Sequence, residues 1–368
     1  MGTLILQDGT VLKGKSFGAI GGFEGEIVFN TSMTGYQEII TDPSYAKQII
    51  VMTYPEIGNY GINSFDFEAD NPALVGFVVK NNCQTESHYK SKESLSNYLK
   101  SKNIVALEDI DTRSLTKKIR EFGTMNAFIT SNDVNDDFIN QKLGDLQKFA
   151  INSDILLQVS TDTRYIYNPS GEINLAFIDY GAKRGILNSL AKRNCKITVY
   201  PANIEAREIL ENNYDAVFLS NGPGDPASYV YQIGQIKELM GQIPIFGICL
   251  GYQLLALASG AKTFKLKYGH RGGNHPVINL ENNKVMMTSQ NHGYAVDYKE
   301  IPHFIHPTYQ NLNDNTLEGF EINSLSIYAV QFHPEANPGP KDASIIFDEW
   351  INIAKKRINR INEVKNER

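Results

Sequence analysis

The chain holds 368 residues, 42% of them hydrophobic and 21% charged, with a net charge of −6. That length suits two domains with separate cores, and that balance excludes a disordered polymer. The acidic sign speaks against a general nucleic-acid binder, whose footprint is basic, and no apolar run reaches the roughly 20 residues of a membrane span. Residues 1–8 have neither a basic lead nor a cleavage region, so no signal peptide is expected. Cys83, Cys195 and Cys249 are odd in number and far apart, and they read as thiols in a reducing cytoplasm rather than a disulfide framework.

Residues 4–12 predict two short strands joined at an Asp8-Gly9 turn. Residues 9–16 match a phosphate-loop pattern, but that loop needs a strand before it and a helix opening at Lys15-Ser16. Residues 10–12 are themselves strand-like and 17–22 are a poor helix, so the match reads as a hairpin. Next come β-rich pieces at 26–29, 48–53 and 73–79 and polar helices at 95–101 and 112–122. Without regular alternation, residues 1–151 are expected to form a separate mixed α/β domain whose topology the pattern does not fix. Residues 152–171 are irregular, broken at Asn168-Pro169-Ser170-Gly171, and read as a linker.

From 172 to 360 the pattern is regular. Strands at 173–178, 196–200, 216–219 and 243–246 alternate with helices at 182–193, 204–212 and 229–240. Such alternation predicts a doubly wound, mostly parallel sheet with functional groups at the strands' carboxyl ends. A last helix after Asp342 carries Ile346, Trp350 and Ile353 on one face, and 361–368 form a charged tail.

Cys249 falls on the sharp turn Gly247-Ile248-Cys249-Leu250-Gly251, between a buried strand and a helix starting near Gly251. This is the layout of a nucleophile elbow with cysteine in place of serine. A helix N-terminus stabilises negative charge and so favours a thiolate there, and the N–H of Leu250 would face a developing oxyanion. The glycines alone leave a buried, inert structural cysteine equally open. Cys83 and Cys195, with no such setting, are read as structural. A thiol nucleophile needs a base and the base an orienter. A strand at 327–332 runs into His333-Pro334-Glu335, where Glu335 could accept a hydrogen bond from His333. A lone histidine at a strand end is more often a surface or capping residue; beside the elbow, the catalytic reading is favoured.

Gly-Ile-Cys-Leu-Gly-Tyr-Gln at 247–253, Gln-Phe-His-Pro-Glu at 331–335 and Ser-Asn-Gly-Pro-Gly-Asp-Pro at 220–226 together resemble the class I glutamine amidotransferases. Residues 269–276 and 289–296, with 29–38, 41–45, 54–61 and 111–113, are similar to the small subunits of carbamoyl-phosphate synthetases across nearly the whole chain. The resemblance implies that Cys249 attacks the glutamine amide carbon and His333 shuttles protons. It further implies that Glu335 orients His333, that the N–H groups of Gly222 and Leu250 hold the oxyanion, and that a glutamyl thioester forms. It places Ser44, Gly222, Gly224, Leu250, Gln253, Asn291, Gly293 and Tyr294 at glutamine. Gly222 and Gly224 could instead form only a tight turn, 291–294 only a surface loop, and Ser44 after Pro43 only turn chemistry.

His270, His275 and His292 have no good ligand spacing and are read as structural or gate-forming, with no metal expected. Tyr252, Tyr294 and Arg271 depart from many relatives but keep bulk or hydrogen-bonding ability. The resemblance also implies a heterodimer, with room for higher assembly, in which ammonia passes through an interior passage to a large synthetase subunit. That subunit would carry ATP, divalent metal and bicarbonate, and this chain would hold no cofactor. Two competing readings are a non-catalytic regulatory module, against which intact Cys249, His333 and Glu335 argue, and a self-sufficient γ-glutamyl hydrolase, which leaves the N-terminal half unexplained.

Overall fold

A computed structural model describes residues 1–366, with side chains through residue 356. The chain divides into two units, Met1–Asn152 with Lys267–Gly272 and Ser153–Leu266 with Gly273–Arg368. No helix among the described residues is long and apolar enough to cross a membrane.

In the first unit seven strands close into a barrel. Their order is Gly2–Leu6, Val11–Ser16, Val105–Glu108, Gly76–Val78, Gln48–Met52, Gly22–Asn30 and Met125–Thr130, which pairs back onto Gly2–Leu6. Alternation along the strands sorts the side chains. Ile27, Phe29, Ile49 and Val51 join one core with Leu115 and Ile119 of helix Thr112–Phe122. Val28, Ile50 and Met52 join another with Leu95 and Leu99 of helix Leu95–Ser101. Ser94 and Asp111 cap those helices, accepting from Asn97 N at 3.3 Å and Ser114 N at 2.9 Å. The opening segment is the expected hairpin, with Leu4 opposite Leu12 and Ile5 opposite Val11. Ser16 ends a strand rather than opening a helix, so no helix N-terminus stands behind the phosphate-loop pattern.

The second unit is built on a ten-stranded sheet. Its centre is parallel, in the order Cys195–Pro201, Ile173–Asp179, Ala216–Leu219, Ile245–Ile248 and Ile327–Val330. Antiparallel strands extend it beyond Ile327–Val330, through Leu317–Ile322, Val285–Val296, Thr263–Asn279 and His306–Asn311. Helices cover both faces. Ala176, Ile178, Val217 and Leu219 pack with Ile236 and Leu254, whereas Leu175, Phe177 and Phe218 pack with Ile186, Phe347 and Trp350. Phe177 stacks on Phe218 at 5.4 Å and Phe246 on Trp350 at 5.3 Å, which seats the last helix, Ile345–Asn366, on the sheet.

Residues 152–171 are more ordered than a bare linker. They carry the helix Ile155–Val159 and the strand Tyr165–Tyr167, which pairs antiparallel with Cys195–Pro201 and caps that sheet edge. The last helix continues to Asn366, while the side chains of the charged segment 361–368 lie outside the described residues.

Candidate active site

The strand Ile245–Ile248 ends at Cys249 and the helix Leu250–Ala258 begins at the next residue. Cys249 takes φ 53 and ψ −102, a left-handed conformation that costs a residue with a Cβ about 1–3 kcal/mol. Its amide donates to Val330 O at 2.9 Å, which ties the turn to the strand leading into His333. The glycines make the turn sterically feasible. A Cβ on Gly251 would lie 2.4 Å from Leu219 O, and one on Gly247 would lie 2.7 Å from Leu255 Cδ1. Gly251→Ala is therefore expected to destabilise the protein by roughly 1–3 kcal/mol in urea denaturation; an unchanged midpoint would mean the elbow can spread. Cys249 is 2% exposed, and its Sγ lies 3.6 Å from Asn291 O.

The strand Ile327–Val330 delivers Gln331-Phe332-His333 to the carboxyl edge of the sheet. His333 N donates to Ser289 O at 2.9 Å, and its Nδ1 donates to Glu335 Oε1 at 2.7 Å. A carboxylate can only accept, so the hydrogen sits on Nδ1. Nε2 has no hydrogen-bond partner among the described residues, which leaves it open toward the neighbouring Cys249 thiol.

A third charge completes the set. Lys183, buried on the turn after strand Ile173–Asp179, reaches Glu335 Oε1 at 2.9 Å and donates to Ala336 O at 2.6 Å. Its own amide donates to Asn221 Oδ1 at 3.0 Å, and Asn221 Nδ2 donates to Gly181 O at 3.0 Å, so the turn is held from both sides. Burial pushes the Glu335 carboxyl up, but the Lys183 ammonium and the His333 ring outweigh it and hold Glu335 well below the usual carboxylate range. Burial opposes charge on His333, yet adjacent Glu335 more than offsets this and raises the imidazole above its ordinary value. Lys183 pushes the other way, and the adjacent Cys249 side chain adds to the rise. The result is an ionised Glu335 clamped between two donors, and an imidazole that readily carries the proton a thiol gives up.

Of the other residues singled out by sequence, most converge here. Gly222 adjoins Leu250: a Cβ on it would lie 2.8 Å from Leu250 Cδ2 and 2.2 Å from Tyr180 O. Gly224 takes φ +88 on the neighbouring turn, and Tyr229, whose hydroxyl donates to Pro223 O at 2.8 Å, fills the space a Cβ would need. Asn291, Gly293 and Tyr294 lie within the strand Val285–Val296 rather than in a surface loop. Gln253, on the helix after Cys249, donates to Tyr294 O at 2.8 Å. Tyr252 is fully buried, its hydroxyl on Leu317 O at 3.0 Å. Ser44 belongs to the first unit, on the turn Pro43–Tyr45, where its amide donates to Asp42 Oδ1 at 2.9 Å. Lys183 was missed by the sequence reading. Its only signal is a lone lysine on a strand-to-helix turn at the sheet's carboxyl edge, where functional groups collect.

A parallel-centred sheet carrying a cysteine elbow and a His-Glu pair on adjacent strands defines a class I glutamine amidotransferase domain, and the family model "Glutamine amidotransferase class-I" matches residues 176–353. The model "Carbamoyl-phosphate synthase small chain, CPSase domain" matches residues 4–129. The chain is 48% identical to a "Carbamoyl phosphate synthase small chain" of Clostridium perfringens over 351 residues, covering 95% of this chain and 99% of that one. To the protein of the same name from Archaeoglobus fulgidus it is 46% identical over 353 residues, covering 96% and 98%. This chain belongs to the carbamoyl phosphate synthase small-chain family. Among solved structures, a glutamine amidotransferase from Thermotoga maritima is similar at 21% identity and a TM-score of 0.37, covering 52% of this chain and 85% of that one.

Proposed function

We propose that this chain hydrolyses L-glutamine to glutamate and ammonia at Cys249 and delivers the ammonia to a large synthetase subunit. There it would be used with bicarbonate and ATP to make carbamoyl phosphate for arginine and pyrimidine synthesis. The observation that carries the reading is the strained Cys249 turn facing an imidazole whose other nitrogen is bound to an ionised, buried Glu335. The Cys249 thiolate attacks the side-chain amide carbon, and the oxyanion is held by the N–H groups of Leu250 and Gly222. His333 gives its proton to the leaving nitrogen, the C–N bond breaks, and ammonia departs from a glutamyl thioester. His333 then takes a proton from water, which attacks the thioester; the C–S bond breaks and glutamate leaves. Glu335 and Lys183 keep the ring oriented through both transfers. Gly224, Gln253, Asn291, Gly293 and Tyr294 bind glutamine in this reading. The chain itself needs no cofactor; ATP and divalent metal belong to the large subunit of a cytoplasmic heterodimer.

The thioester can be trapped. After incubation with glutamine and an acid quench, the peptide containing Cys249 should carry a glutamyl adduct by mass spectrometry. Glutamine consumed without any adduct, under quench times shorter than one turnover, would sink the covalent route.

A further inference from the structure

We propose that Gln331 is a positioning residue for substrate selection, fixing which face of the Gln253 amide meets the ligand; this rests on the reading above that Gln253 binds glutamine. Gln253 follows the nucleophile by one helical turn, with its N–H donating to Cys249 O at 3.1 Å. Its Nε2 donates to Tyr294 O at 2.8 Å and to Gln331 Oε1 at 2.9 Å. A backbone carbonyl only accepts, so the atom facing Tyr294 O is the Gln253 nitrogen, and the amide is held in that orientation by two acceptors together. Gln331 must then present its oxygen, since its nitrogen would oppose a donor.

Both amide hydrogens of Gln253 are thereby consumed by the protein, and among the described residues no donor reaches its Oε1. What Gln253 offers a ligand is an acceptor. It suits the α-ammonium of an amino acid and repels a carboxylate. Gln331 itself is fully buried, its backbone amide held by Glu318 O at 2.8 Å, and its side-chain nitrogen has no hydrogen-bond partner among the described residues. A buried amide whose oxygen is used and whose nitrogen is not satisfied is costly as pure packing, and is explained by the acceptor it supplies. Without that acceptor, one buried Gln253 hydrogen is left unpaired, and only the bond to Tyr294 O opposes turning a donor toward the ligand.

The test compares glutamine with 4-carbamoylbutanoate, which has the same amide and carboxylate but no α-ammonium, on the full chain. Gln331→Met removes the acceptor at similar volume, and its preference for glutamine, as the ratio of the two kcat/KM values, is expected to fall roughly tenfold. Gln331→Glu keeps an oxygen opposite Gln253 and should retain the ratio within about threefold of the parent. The ratio cancels any loss of folded enzyme, so a merely structural role would lower both activities and leave it unmoved. A parent-like ratio in Gln331→Met overturns the assignment, as does an equal fall in both variants. Failure of the parent chain to hydrolyse glutamine would overturn the functional reading instead.

Discussion

Cys249→Ser, combined with the large subunit, is expected to lose carbamoyl phosphate synthesis from glutamine by a factor on the order of 10³ or more, while synthesis from added ammonia stays near the parent rate. The thiol is the group to be replaced because the elbow delivers it, at φ 53, to an imidazole already polarised by Glu335. A serine hydroxyl at the same point keeps the shape but is intrinsically a far weaker acid than a thiol and a poorer nucleophile for the same base. The ammonia arm separates chemistry from assembly. Equal loss from both nitrogen sources would mean that the substitution disturbs the partner, and the proposed division of labour would fall. The glutaminase rate of the isolated chain should also rise when the partner is added; full turnover without it would favour a self-sufficient hydrolase.

Lys183→Met is the second large effect. In the parent, the buried Lys183 ammonium and Glu335 carboxylate neutralise each other across 2.9 Å. Removing Lys183 leaves Glu335 in a dry site with His333 as its remaining partner, and losing one member of such a buried pair costs up to about 3–5 kcal/mol. The pH dependence carries the diagnosis. Glu335 is depressed in the folded parent, so its contribution to stability is present above the unfolded carboxylate value near ~4.3 and fades only as pH falls through the lower folded value. In Lys183→Met the cation that depressed it is gone, the folded carboxyl rises, and Glu335 can escape its burial penalty by taking a proton. The stability gap between parent and variant should therefore be widest at neutral pH and should narrow on acidification toward pH ~4 and below. A gap that is flat with pH would assign the loss to packing of the lysine stem. Because Lys183 also opposes charge on His333, the variant's ring should titrate at higher pH than the parent's, a displacement readable by NMR of the imidazole.

How much of this was legible beforehand differs by element. Helices Leu95–Ser101 and Thr112–Phe122 and strand Ala216–Leu219 lie where pattern placed them, since caps and alternation are local. The barrel was not legible. Val11–Ser16 pairs with Val105–Glu108, and nothing within either short strand encodes a partner so distant in the chain. The antiparallel strands from Thr263 to Ile322 also went unread as elements, because polar motif residues such as Asn291 and Gly293 interrupt their alternation. Residues 155–159 looked like linker because a helix so short has almost no pattern of its own; burial of Ile155 and Leu156 holds it.

At the site the same division holds. The sequence by itself determined the candidate reactive groups and the turns that present them: Cys249 between Gly247 and Gly251, and Glu335 two residues beyond His333. Backbone angles, steric room and short hydrogen bonds are set by neighbours along the chain. Only the tertiary structure decided that Lys183 joins Glu335, that Val330 O anchors the Cys249 amide, and that Gln331 consumes a hydrogen of Gln253. Charge state, desolvation and amide orientation depend on distance and burial, which are properties of elements brought together from far along the chain.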